Sequence, residues 1–322
     1  MPPAPVTRSS IRVGRVGFTF HRTLRIPDDG TVYPLPPSLG AFPVRRVRDF
    51  ERRVPASWRE RGGYFIPLYQ REAMWISFDG AYWRPNAVTI GVGGVNAVSG
   101  TRWTGRLSAR PQNYVVVPSQ PWLDGINAGS GVIRQFVAMP LGAGYTVEGQ
   151  ITGTETEGGL QLGVVQPKPG RFPTREPRRG RGIWGGEVMY CAEPSLEMGL
   201  GAGGRMTQRI YPDEYGIETW NTSRVRTVHV HIVNSRMYER ITGEAPPPSP
   251  VSARTYTQHG LPWFALYDEH KGDVAPPSSL AGVKSIGELD GGARISSRFD
   301  EHSVQVPPWQ VLSIGGEDSS IG

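Results

Sequence analysis

Residues 114–165, YVVVPSQPWLDGINAGSGVIRQFVAMPLGAGYTVEGQITGTETEGGLQLGVV, limit most strongly what this chain can fold into. Few charges interrupt the stretch. Short apolar or alternating runs at 114–117, 132–139, 145–151 and 160–165 are separated by Pro and Gly. Runs of that length bounded by turn residues read as β-strands joined by tight turns. The stretch is therefore expected to form the core sheet on which the rest packs.

Composition agrees. Gly (42) and Pro (30) together exceed a fifth of the 322 residues, well above the usual share. There is no G-X-Y period, and nine Trp with 38% apolar residues supply a real core. The expected fold is mainly β: an antiparallel sandwich or jelly-roll-like core with one or two short helices and extended Pro-rich termini.

The single cysteine, Cys191, precludes an intrachain disulfide, which fits the cytoplasm best. The N-terminal MPPAPVTRSS lacks the apolar centre of a signal peptide. No apolar run reaches the length of a membrane-spanning helix, so a soluble protein is expected. The formal charge of +6 comes almost entirely from arginine, since only Lys168, Lys271 and Lys284 are lysines. A basic surface attracts anions. GC-rich codons also favour arginine, so a pI near 9.6 does not by itself argue for nucleic-acid binding.

Taken in order, residues 1–10 read as a Pro-rich arm and 11–20 as a strand, followed by a PDDG turn at 27–30. Val47, Phe50 and Val54 recur at helical spacing within 44–61, which reads as a short helix ending near Pro55, with a second helical turn at SWRER. Strands are expected at 74–78, 86–96 and 225–233. The β core domain is placed at 11–243. EAPPPSPVS opens a Pro-rich linker at 244–254, and 255–322 forms a C-terminal extension, partly docked and partly flexible. Its aromatic cluster Trp263, Phe264 and Tyr267 is expected to dock back on the core; the remainder is too thinly apolar to fold alone.

Several words in the chain point further. RTLRIPDDG with YPLPPSLGAFP, REAMWISF, VNAVSG, VVPSQPWLDG, VIRQFVAMPLGAGYTVEGQITG, MGLGAGGRM and GLPWFALYD, spread over residues 17–268, together resemble a family of uncharacterised bacterial and fungal proteins. Some of its members carry the label "integral membrane protein", which no apolar run in this sequence supports. The resemblance brings no activity, substrate or site residue with it.

The sharpest local feature is His229-Val230-His231. Alternation along a strand projects His229 and His231 to one side with Thr227, and Val228, Val230 and Ile232 to the other. Two imidazoles so placed can ligate a divalent metal, although the local sequence offers no third ligand. Without it they are a polar strand face, and no cofactor is then expected. Arg171, Arg175, Arg178, Arg179 and Arg181, opposed only by Glu176, form a candidate anion-binding loop. It could neutralise phosphates, nucleic acid being the weaker reading because no nucleic-acid fold accompanies it. Arg45, Arg46, Arg48, Arg52 and Arg53 read as a solvated helix face.

Glu187, Glu193 and Glu197 cluster near Cys191, with Glu193 and Glu197 on one face of a helical turn around 195–198. The glycines of GLGAGG, residues 199–204, lack the following Lys of a phosphate loop and read as a tight, crowded loop. The tryptophans read mainly as core or interface anchors, with exposed ones able to stack on sugars. The leading functional expectation is a non-enzymatic structural or interaction protein that self-associates through a β core and extended termini. A metal-dependent enzyme or binding protein centred on His229 and His231 is the first alternative. A glycan-binding β-sandwich is the second.

Overall fold

The structure is a computed structural model that describes residues 9–176, 197–248, 252–266, 272–275, 277–293 and 304–314. It is mainly β, as the turn-punctuated sequence requires. The chain opens with β1 (Ser10–Val13) and β2 (Val16–Thr23), a hairpin about Gly14, whose φ of 62° favours a residue without Cβ. Two-residue strands β3 (Val32–Tyr33) and β4 (Arg45–Arg46) follow. Helix α1 (Ala56–Arg61) precedes β5 (Tyr64–Leu68) and β6 (Ala73–Asp79). Strands β7 (Asn86–Val92) and β8 (Val95–Asn96) follow, and the core stretch then supplies β9 (Val115–Val117), β10 (Trp122–Leu123), β11 (Gly125–Gly129) and β12 (Val132–Pro140). Helix α2 (Val147–Thr152) leads to β13 (Leu160–Pro167), β14 (Glu197–Thr207) and β15 (Trp220–Asn234). The rest is α3 (Ser235–Thr242), α4 (Ala253–Gln258), β16 (Trp263–Leu266), α5 (Ser278–Ala281), α6 (Ile286–Ala293) and β17 (Val311–Ile314).

Fifteen strands form one sheet, ordered β1-β2-β6-β12-β14-β15-β13-β7-β8 along its main path. Every pair on that path is antiparallel. Parallel pairings are confined to β3–β14, β5–β15 and the separate β16–β17 pair. Strand β15 is the hinge of the arrangement. Its first part pairs with β13 up to Val230, and its last residues pair with β5 and the start of β14. Phe18, Phe20, Met74 and Ile76 from one end of the path share a single buried cluster with Val88, Ile90, Leu160, Leu162 and Val164 from the other.

Three segments differ from the sequence reading. Residues 145–151 were expected to be a strand, yet Val147–Thr152 is helical. Thr146 caps the helix by accepting from the Gly149 N–H at 3.0 Å, and Gly153 ends it in the left-handed region. Val147 and Ile151 are four apart, so the same apolar residues satisfy a helical face as well as an alternation, and the caps decide. Residues 199–204 form no loop; they lie inside the eleven-residue strand β14. Its glycines admit backbone on both sides. A Cβ at Gly204 would sit 2.4 Å from the Pro27 carbonyl oxygen, and one at Gly201 2.9 Å from that of Tyr145. Glu197 begins this strand rather than a helical turn, and Glu187, Cys191 and Glu193 lie outside the described residues.

The short helix expected to end near Pro55 is a 3₁₀ turn, and the second helical turn expected at SWRER is helix α1. Pro55 separates a 3₁₀ turn at Val47–Phe50 from α1, while Val47, Val54 and Trp58 share one buried cluster. Six short α-helices are present among the described residues, where one or two were expected.

The described parts of the C-terminal extension pack on the core. Tyr256, Trp263, Val274, Leu280 and Val283 belong to the main buried cluster. Leu35 and Phe264 exchange backbone hydrogen bonds of 2.7 and 2.8 Å. Helix α6 is held by Asp290, which receives both Arg71 Nη atoms at 2.6 and 2.7 Å and the Tyr145 hydroxyl at 2.9 Å. The Arg71 guanidinium and the Tyr145 hydroxyl outweigh burial and hold the Asp290 carboxyl below its ordinary range. Tyr267 lies outside the described residues. Among the described residues no helix is long and apolar enough to cross a membrane.

Candidate functional site

The pairing register places Gly91, Gln161 and His229 side by side across β7, β13 and β15. Two residues on, His231 pairs with Phe65 of β5. Val230 and Ile232, between and after the histidines, are buried in the core. The two imidazoles therefore share the opposite face of the strand, as alternation requires.

On that face the rings form a ladder. Trp58 of α1 stacks on His231 at 4.5 Å between centroids, with planes 15° apart. His231 and His229 are nearly parallel at 6.2 Å. Trp103 closes the row edge-to-face with His229 at 6.4 Å. The indole of Trp103 packs against β7, its Nε1–H donating to the Thr89 hydroxyl at 3.2 Å. Gly91 makes this possible, because a Cβ there would come within 2.7 Å of the Trp103 ring.

His231 is buried and its Nε2–H donates to the Gly62 carbonyl at 3.0 Å, which leaves Nδ1 as the bare nitrogen of the neutral ring. Burial pulls its pKa down to about 4 against the opposing Gly62 hydrogen bond. His229 is shifted the same way, by burial first and the Arg61 charge second. Both rings are neutral at pH 7. As a metal centre the pair is incomplete: among the described residues no group of three His, Cys, Asp or Glu side chains is placed to hold an ion.

His229 and Trp103 form one wall of a cleft of about 580 Å³. The remainder comes from the β7–β8 turn at Gly93 and Gly94, from Arg102, and from the loop after α2. Glu148 organises that loop. Its buried carboxylate accepts from the backbone N–H groups of Thr156, Glu157 and Gly158 at 2.7–2.9 Å. Gln161 bridges the turn and the loop, accepting from Gly94 N–H and donating to the Gly158 carbonyl. Glu157 pairs with Arg61 at 3.3 Å. The cleft is thus lined by Thr152, Thr154 and Thr156, the Glu157 carboxylate, the Arg102 guanidinium, and the half-buried Trp103 and His229.

The other candidates are not brought to this cleft. Arg171 and Arg175 are exposed beyond the end of β13; Arg178, Arg179 and Arg181 lie outside the described residues. Arg45 donates to Glu244, and Arg53 donates to the Ile241 carbonyl at 3.1 Å, so part of the first arginine cluster ties α3 to the core. Sequence reasoning missed Trp103, Glu148 and Gln161 as site residues. The visible signal was the GVGG run, residues 91–94, at the end of β7 and into the turn, where Gly91 leaves room for Trp103 and Gly93 for Glu148. No family model, curated protein or solved structure matches this chain.

Proposed function

We propose that the protein is a non-enzymatic binding protein whose site is the cleft beside His229 and whose ligand is a carbohydrate. The observation that carries this reading is the half-buried indole of Trp103 set against a rim of hydroxyl, amide, guanidinium and carboxylate groups. An aromatic face takes the apolar side of a sugar ring, and the polar rim takes its hydroxyls. The acidic residues are already engaged: Glu148 by three backbone N–H groups and Glu157 by Arg61. That arrangement favours binding over acid–base chemistry.

Titration of an oligosaccharide panel, followed by tryptophan fluorescence and calorimetry, tests the reading. At least one member should bind, and Trp103→Ala should weaken it by about tenfold or more. Affinity should be flat between about pH 7 and 8, because burial holds both imidazole pKa values below the ordinary histidine range. A panel without binders, or equal binding by Trp103→Ala, would sink it.

Self-association is the second reading, favoured by a different observation. Trp309, Leu312 and Leu261 are 71%, 50% and 43% exposed on the small β16–β17 unit. Exposed apolar residues grouped this way suit an interface with another copy of the chain. Light scattering should then give an oligomer for the natural chain and a monomer for Trp309→Ser/Leu312→Ser; a monomeric natural chain rejects it. We further read the sheet as folded over into a sandwich or jelly-roll-like core, and the protein as soluble and cytoplasmic. The common buried cluster of β2, β6, β7 and β13 supports the former, and the single cysteine supports the latter.

A further inference from the structure

A second pocket, of about 780 Å³, lies at the far end of β15 from His231. Arg106 and Lys168 both line it, and so do the hydroxyls of Thr222 and Ser223. Its apolar part comes from Leu107 and Val225, which pack on the cluster around the buried Trp220. Glu218 is the one carboxylate among the lining residues. Neither Arg106 nor Lys168 is ion-paired among the described residues, although Arg12, Arg22, Arg45, Arg61, Arg71 and Arg134 all are. Two cations without ion-pair partners thus line one concavity, and an anion held there is attracted by both.

We infer that this pocket binds a phosphate ester of about nucleotide size. Cationic side chains together with the Thr222 hydroxyl suit the several oxygens of a phosphate group, while the Ser223 hydroxyl already donates to Asn221 Oδ1 at 2.7 Å. The volume exceeds what inorganic phosphate fills, and the Leu107–Val225 side gives an organic body an apolar surface to cover. The arginine run of the sequence begins at the same rim: Arg171 N–H donates to the Lys168 carbonyl at 3.3 Å. Residues 168–171 thus turn at the pocket mouth, where the charges of Lys168 and Arg171 raise the local concentration of anions.

Calorimetric titration of the full chain with ADP and with pyrophosphate at low ionic strength tests the inference. Both should bind, ADP more tightly, with affinity falling as salt is added. Arg106→Ala and Lys168→Ala should each weaken ADP by about tenfold, and the double variant by about a hundredfold. Glu218→Gln should strengthen it, by about threefold, because it removes the one opposing charge. All three side chains are exposed, so the variants retain the fold, and circular dichroism verifies this. Absence of ADP binding at millimolar concentration, or unchanged affinity in the double variant, overturns the site. Pyrophosphate binding more tightly than ADP overturns the ester and leaves only an anion site.

Discussion

Replacing Arg22 by Met will lower the unfolding free energy by about 3–5 kcal/mol, the usual cost of leaving one member of a buried ion pair without its partner. The side chains of Arg22 and Glu72 are 4% and 1% exposed. Arg22 Nε donates to Glu72 Oε1 at 2.7 Å, and the other carboxylate oxygen accepts from the Tyr69 N–H at 2.8 Å. Burial pushes the Glu72 carboxyl up, and the Arg22 charge works against that push. Without Arg22 the folded-state pKa rises further above its unfolded value. The sign follows: the variant keeps its stability in acid and loses it as pH rises through that folded-state pKa. Urea unfolding at about pH 5 and pH 8 reads both effects. Arg22→Met/Glu72→Met should recover much of the loss, because no buried charge is then stranded. A single variant within about 1 kcal/mol of the natural protein at both pH values would mean that the pair is not buried as described.

The second large effect concerns the extension. Trp263→Ala should cost about 3–5 kcal/mol, the range for removing a fully buried large aromatic. Trp263 is 0% exposed, packs near Tyr33 and Tyr256 at 6.3 Å from each, and donates to the Thr257 hydroxyl at 3.1 Å. Tyr33 belongs to β3, so the contact joins the extension to the main sheet. The loss should therefore appear in one cooperative transition, with tryptophan fluorescence and far-UV circular dichroism falling together. Two separated transitions, with the larger one unmoved, would show that the extension folds as its own unit.

These two sites mark where sequence reasoning reached and where it stopped. Trp263 was legible: an aromatic cluster after a Pro-rich segment must find apolar surface, and residues 255–322 offer too little of their own. Arg22 and Glu72 were not. They are 50 residues apart, and a buried charge has no local signature until strands β2 and β6 set Arg22 opposite Met74, near Glu72. The cleft divides in the same way. His229 and His231 were assigned to one face from strand alternation alone, because a period of two is a property of the backbone. Trp58, Trp103 and Glu148 reached that face through three separate segments, which only sheet pairing brings together.

The sequence by itself determined the mainly β class, most of the strands between residues 11 and 233, and the shared direction of the two histidines. All of these depend on residues within a few positions of each other, where turn chemistry and alternation act. Tertiary structure decided the rest. Residues 147–152 became a helix because its caps fit while Val147 still reached the core. Residues 199–204 became a strand because the backbones of Pro27 and Tyr145 press on glycines that local rules assign to a loop. Partners far apart in sequence are chosen by packing, and packing is a property of the whole chain.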